Sequence, residues 1–415
     1  MHRCKTPPSL IILPAFVLPT FASTMQTSTR ILHEGDDRSA QHGAVNPPVY
    51  FASTFVFPTV QAFNDAMADP FNHYFYSRDR NPTVQALEDK LALLEGAEGC
   101  ICSASGMGAI TAAILVCVKA GDHALVVDTC YGPTRRFMDR ILAGLGVSTT
   151  YYPPETTDLG PWLQPNTRLV YLESPGSLSF HIQDLPGLAA QARSHGAATI
   201  ADNSWATPLY QQPHRLGVDI VVHSGTKYIA GHSDLLLGVL TTSGDFLRRA
   251  REVSVLSGAT LGPAEAYLAL RGLRTLPVRM SQHQASGLAV ARWLQDHPKV
   301  RRVLHPGLPD FPGHALAQTQ FSGWSSLFSI ELHAPTSTDH RHRFVDGLRF
   351  FSIGVSWGGY ESLIIPLESR DPASAAARRR VGLNEECYRL SVGLEDPNDL
   401  IADLAQALKG YQVQG

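Results

Sequence analysis

The stretch Asp219-Ile220-Val221-Val222-His223-Ser224-Gly225-Thr226-Lys227-Tyr228 is an apolar, β-branched run that ends in two hydroxyls and a lysine. Such a run reads as a buried strand opening onto a turn. A lysine at the mouth of a buried strand can lose its proton and act as an amine nucleophile. Ser224 and Thr226 beside it can hold a phosphate. A second run, Ala198-Thr199-Ile200-Ala201-Asp202-Asn203, ends in an aspartate that could hold a protonated ring nitrogen. Lysine, hydroxyls and aspartate together describe a site for pyridoxal phosphate (PLP), which uses a lysine Schiff base and an acidic partner for its pyridinium. Taken singly, Lys227 could be a surface lysine at a helix start, and Asp202 a cap for the turn at Ser204.

Working outward, further candidate strands are Ala124–Asp128, Arg168–Ser174 and Gly238–Thr242, with helical patterns such as Leu185 to His195 between several of them. This alternation predicts an α/β fold with a mainly parallel sheet covered on both faces. Ligands of such sheets lie beyond the C-terminal strand ends, where Asp202 and Ser224 both fall. Asn81-Pro82-Thr83 opens a helix from Val84 to Glu95, stopped at Gly96. Leu261 to Leu294 reads as long helix interrupted at Pro277. Ser326–Leu332 and Arg389–Val392 are strands of a second region.

The chain has 415 residues, 44% hydrophobic and 17% charged, enough for two domains because single cores stop growing near about 250–300 residues. We expect an N-terminal arm over 25–82, a PLP-binding large domain over 83–281 and a C-terminal domain over 282–415. A formal net charge of −3 speaks against nucleic acid and anionic membranes as partners. Arg378-Arg379-Arg380 reads as a solvated helix face. The six cysteines form no C-x-x-C pair and no histidines have zinc-site spacing, so reduced thiols and no metal are expected. Residues 1–24 loosely imitate a signal peptide, but the apolar run is short and carries Pro14 and Pro19. An over-extended start, with Met25 as initiator and a cytoplasmic location, is the preferred expectation.

Ser103-Ala104-Ser105-Gly106-Met107-Gly108-Ala109 leads into the apolar helix Ile110 to Val118. Small residues let an anion approach the free N–H groups of a helix start, although taken alone the segment reads first as a tight turn with packing glycines. Neither G-x-G-x-x-G nor the P-loop spacing is present, which disfavours dinucleotides and nucleoside triphosphates. Tyr131 could stack on a planar cofactor or pack in the core. Arg389 is a charge on an otherwise apolar strand, and it wants either a substrate carboxylate or an internal salt bridge.

From about residue 30 onward the chain resembles the Cys/Met-metabolism PLP enzymes, which have the type I, aspartate-aminotransferase-like fold. The ordered matches are Tyr76-Ser77-Arg78, Asn81-Pro82-Thr83, Ser105-Gly106-Met107, Asp202-Asn203, Ser224-Gly225-Thr226-Lys227-Tyr228, Gly231-His232-Ser233-Asp234 and Arg389-Leu390-Ser391-Val392-Gly393. The resemblance implies a seven-stranded-type sheet and a smaller α/β C-terminal domain. It makes Lys227 the covalent attachment point of PLP, Asp202 the pyridinium partner and Tyr131 the stacking ring. Gly106, Met107, Ser224 and Thr226 would hold the phosphate. Tyr76 and Arg78 would reach the phosphate of a neighbouring subunit, implying a catalytic dimer paired into a homotetramer. Arg389 would bind the substrate carboxylate, with Ser356 and Trp357 nearby.

Glu173-Ser174-Pro175-Gly176-Ser177 and Ser356-Trp357-Gly358-Gly359-Tyr360-Glu361-Ser362-Leu363 look like the bacterial cystathionine β-lyase branch. Tyr131-Gly132-Pro133-Thr134-Arg135 points the same way, since it lacks the cysteine common in methionine γ-lyases. The implied reaction is α,β-elimination of L-cystathionine or a related cysteine S-conjugate, with Lys227 and Tyr131 as the proton-handling groups. A γ-lyase, γ-synthase or broad cysteine desulfhydrase is the alternative, and a non-catalytic PLP-fold binding protein the remote one. Gly323-Trp324-Ser325-Ser326 is bulkier than that family leads one to expect, and implies an altered substrate pocket.

Overall fold

The alternation of short buried runs with helical stretches resolves, in a computed structural model, into two sheets. The structure describes residues 25–35, 38–39, 41–368 and 372–413. The signal-like segment 1–24 lies outside the described residues. The large sheet consists of β1 (Gly99–Ser103), β2 (His123–Val127), β3 (Ser148–Tyr152), β4 (Thr167–Glu173), β5 (Ala198–Asp202), β6 (Ile220–Ser224) and β7 (Gly238–Thr242). Its order is β1-β7-β6-β5-β4-β2-β3. All neighbours are parallel except β7, which runs antiparallel to both β1 and β6.

Period-two alternation explains how this sheet buries both faces. In β1, Ile101 packs with the helix Gly106–Cys117, whereas Cys100 and Cys102 face the other way, toward Leu87 and Leu91. Those leucines belong to the helix Pro82–Glu95. Asn81 starts it by accepting the Thr83 N–H at 2.9 Å, and Gly96 ends it at φ +75°. Leu87 and Leu91 are fully buried, and each such side chain contributes about 1.5–3 kcal/mol of hydrophobic stabilisation.

Two strands of this sheet escape the sequence reading. β1 is made of small residues and thiols between Gly99 and Ser103, and resembles a turn until β7 pairs with it. β3 lies at the sheet edge and only Tyr152 is fully buried there, so its apolar signal is weak. The arm also holds more order than its composition suggests. It contains the helices Thr27–His33 and Val60–Ala68, the second capped by Thr59, which accepts the Ala62 N–H.

The smaller sheet comprises β8 (Val300–Leu304), β9 (Leu327–Leu332), β10 (Ser352–Ile353), β11 (Leu363–Pro366) and β12 (Cys387–Ser391), in the order β10-β11-β12-β9-β8. The long helical region before it breaks into Pro263–Arg274 and Leu276–Gln295, because Pro277 sits in the first turn of the second helix, where its missing N–H costs nothing. Trp205 joins the two units by donating its indole N–H to Leu327 O at 2.9 Å. The basic run is not a simply solvated face. Arg378 donates to Leu367 O and Glu368 O, and Arg380 pairs with Asp128 at 3.0 Å. No helix among the described residues is long and apolar enough to cross a membrane.

Candidate active site

Parallel pairing of β4, β5 and β6 brings Glu173, Asp202 and Ser224 to one edge of the sheet. A short relay ties two of these strand ends together. The Ser224 N–H donates to Ser204 Oγ at 2.6 Å, and Ser204 Oγ donates to Asp202 Oδ1 at 2.6 Å. Asp202 Oδ1 also accepts the Ser204 N–H at 3.0 Å, so Asp202 does cap this turn. It does so with one oxygen only. Oδ2 enters none of the hydrogen bonds among the described residues and stays available for a ring N–H.

The helix Gly106–Cys117 starts against the end of β6. Ser105 caps it by accepting the Gly108 N–H at 3.2 Å, which leaves the N–H groups of Gly106 and Met107 without an intrahelical acceptor. A Cβ on Gly106 would lie 3.0 Å from Ser224 Oγ, and one on Gly238 would lie 2.0 Å from Ser105 O. The glycines therefore pack the turn and, by the same contact, bring the positive helix end beside the Ser224 hydroxyl. Packing and anion cradle are one feature here. Thr226 is differently engaged. Its Oγ1 accepts the Leu237 N–H at 2.8 Å and faces Leu237 O at 3.3 Å, so the main chain already holds this hydroxyl.

Lys227 Nζ donates to Ser356 Oγ at 2.8 Å and lies 5.4 Å from the centroid of the Trp357 ring. Burial, and then the neighbouring Arg389, lower its pKa to about 8, with Asp202 opposing the shift. A neutral amine is the nucleophile that a carbonyl cofactor needs. The rate at which the cofactor-free chain captures PLP should therefore rise with pH about a midpoint near 8, not near 10.5. Stopped-flow absorbance across pH measures this, and a midpoint still above 10 would refute a buried, deprotonated Lys227.

Arg389 projects from β12 and is 9% exposed. Its NH2 donates to Val355 O at 3.0 Å and Ser356 O at 2.9 Å, while Nε is buried without a partner. None of the ion pairs among the described residues involves Arg389, so the internal salt bridge is not formed. A desolvated guanidinium without a counter-ion is a site for an anion. Its two carbonyl contacts also fix the loop that carries Ser356 and Trp357. Trp357 packs edge-on against Tyr228 at 5.5 Å between ring centroids.

Tyr131 follows the end of β2 and starts the short helix Gly132–Phe137 with its ring 44% exposed. Burial, and then the nearby Asp202, raise its phenol pKa, while Arg136 and Arg389 oppose them. Tyr76 and Arg78 stand apart: the guanidinium lies 5.3 Å from the Tyr76 ring, and both side chains are exposed. No contact among the described residues links either to Lys227, Asp202 or Gly106 of the same chain. Trp324 stacks on His314 at 5.7 Å and on Phe321 at 6.1 Å. Glu173 and Ser204 were not recognised as site residues from sequence. The signal for Glu173 was present, since it ends an apolar strand just as Asp202 does.

These residues fit PLP. A readily deprotonated amine, a half-buried carboxylate with one free oxygen, an N–H cradle beside Ser224 and a guanidinium without a counter-ion among the described residues match its carbonyl, pyridinium and phosphate and the carboxylate of an amino-acid substrate.

Fold and site together define a PLP-dependent enzyme. The chain belongs to the Cys/Met metabolism PLP-dependent enzyme family, whose sequence model matches residues 28–409. An L-methionine gamma-lyase of Pseudomonas putida is 39% identical to it, over 94% of this chain and 98% of the relative. A cystathionine beta-lyase of Escherichia coli is 37% identical, over 91% and 96%. A solved cystathionine gamma synthase from Xanthomonas oryzae pv. oryzae, in complex with aminoacrylate and cysteine, superposes with a TM-score of 0.87 at 34% identity, covering 93% of this chain and 98% of that one.

Proposed function

We propose that this enzyme is a carbon–sulfur lyase that cleaves the Cβ–S bond of L-cystathionine or a related cysteine S-conjugate. One observation carries the choice of bond. Cleavage at Cγ requires a base that visits both Cα and Cβ, whereas cleavage at Cβ requires proton removal from Cα alone. Lys227 Nζ is tethered by Ser356 at 2.8 Å and faces the Trp357 ring at 5.4 Å. That restraint suits the shorter task. The relative from Escherichia coli supports the same reading.

Bound PLP supplies an electron sink for the pair released when the Cα–H bond breaks. Lys227 would hold it covalently, Asp202 Oδ2 would keep its ring nitrogen protonated, and the Gly106 and Met107 N–H groups with Ser224 would hold its phosphate. Thr226 would join them by turning its proton from Leu237 O. Tyr131 would cover its ring. Arg389 holds the substrate carboxylate and so orients the Cα–H bond, which is an entropic contribution. Lys227 Nζ takes the Cα proton. Lys227 or Tyr131 then protonates the departing sulfur. The three-carbon remainder takes up water and leaves as pyruvate and ammonia, and the thiol product is homocysteine. Because Tyr76 and Arg78 are exposed and make no contact with their own Lys227 among the described residues, they are proposed to complete a neighbour's phosphate site in a dimer, two of which form a tetramer.

Incubation with L-cystathionine tests the bond. Homocysteine and pyruvate are expected, whereas cysteine and 2-oxobutyrate would replace this reading with the γ-cleaving one. A chain that gives no amino-acid-dependent spectral change would be a binding protein instead.

A further inference from the structure

Glu173 has no part in the scheme above, yet it touches the site from behind. It ends β4, is 7% exposed, and pairs in register with Asp202 of β5. Its Oε2 accepts the N–H of Tyr131 at 2.7 Å. The segment that follows grips the same loop a second and third time. The Ser177 N–H donates to Thr129 O at 2.8 Å, and a Cβ on Gly176 would lie 2.3 Å from Thr129 Oγ1. Residues 173–177 thus form a backing plate for residues 129–131. We propose that Glu173 is a positioning residue, whose carboxyl holds the Tyr131 main chain and thereby places the phenol over the reacting carbon.

The electrostatics agree with this geometry. None of the ion pairs among the described residues involves Glu173. Burial, and then the neighbouring Asp202, raise its pKa well above the ordinary carboxylate value, against hydrogen bonds from Tyr131 and Ser177. Two carboxyls so placed do not both ionise readily. A neutral Glu173 still offers its carbonyl oxygen to the Tyr131 N–H and leaves Asp202 as the carboxylate for the ring nitrogen. Glutamine would keep the shape and the acceptor. Alanine would keep neither.

The inference rests on Tyr131 facing the substrate, not on which C–S bond breaks, so any turned-over substrate serves. In the PLP-loaded enzyme, Glu173→Ala should lower kcat by about 10²-fold, the effect of a misplacement near 1 Å, with a smaller change in KM. Glu173→Gln should recover most of that loss. The visible circular dichroism of bound PLP should change in the alanine variant and not in the glutamine one, whatever the products are. In a Tyr131→Ala background, Glu173→Ala should cost little further, because both changes remove one function. Thermal unfolding checks each variant first, and Glu173→Ser replaces the alanine variant if that one does not fold. A glutamine variant as impaired as alanine, or an undiminished loss in the Tyr131→Ala background, would overturn the proposal.

Discussion

Lys227→Ala is expected to bind PLP without attaching it and to lose turnover by about 10⁴-fold, the upper end of what one positioned proton-transfer group contributes. Both losses come from one atom. Nζ is the group whose pKa burial brings down to about 8, and it is tethered to Ser356 at 2.8 Å. Borohydride reduction followed by intact mass separates the two roles. The parent chain should gain the mass of reduced cofactor and the variant should not. The Gly106–Ser224 cradle and Asp202 remain, so PLP should still be retained on gel filtration at raised concentration. Added small amines should restore part of the turnover by replacing the missing base. Turnover near that of the parent chain would remove Lys227 from the reaction.

Arg389→Met is expected to separate catalysis from stability. The guanidinium is buried, has no counter-ion among the described residues, and keeps an unpaired Nε. A hydrogen bond to a charged group contributes about 1.5–3 kcal/mol, so losing the carboxylate contact should lower kcat/KM by about 10²-fold. The folded chain should scarcely notice. Replacing a buried charge with an apolar side chain of similar volume is often neutral or stabilising. Against this, Val355 O and Ser356 O each lose a donor, at about 1 kcal/mol apiece. Thermal unfolding of the cofactor-free variant should therefore stay close to the parent. A large drop in stability with unchanged kcat/KM would make Arg389 a structural residue.

Much of the site was legible because its parts lie at the ends of runs whose period is visible without a partner. The β-branched run into Ser224 and the run into Asp202 announce two buried strands, and their parallel pairing puts both polar ends at one edge. β1 was harder to see. Cys100, Ile101 and Cys102 carry little strand signal until β7 supplies the hydrogen bonds. Trp324 is a related case: its bulk is evident in the sequence, but its direction, toward His314 and Phe321, appears only once the preceding helix His314–Gln320 is in place.

Local order of residue types was enough to indicate the α/β class and the PLP chemistry, since each buried run and the polar group that ends it stand together along one strand; the pairing of β5 with β6 then sets Asp202 beside the strand that leads to Lys227. Occupancy is another matter. That Arg389 has no counter-ion among the described residues, that Thr226 is held by Leu237, that Asp202 gives one oxygen to Ser204 and keeps the other, and that Glu173 grips Tyr131 are decided by contacts between segments. A sequence shows which groups can bond or ionise. Only the folded chain shows which of them have already spent that capacity on one another.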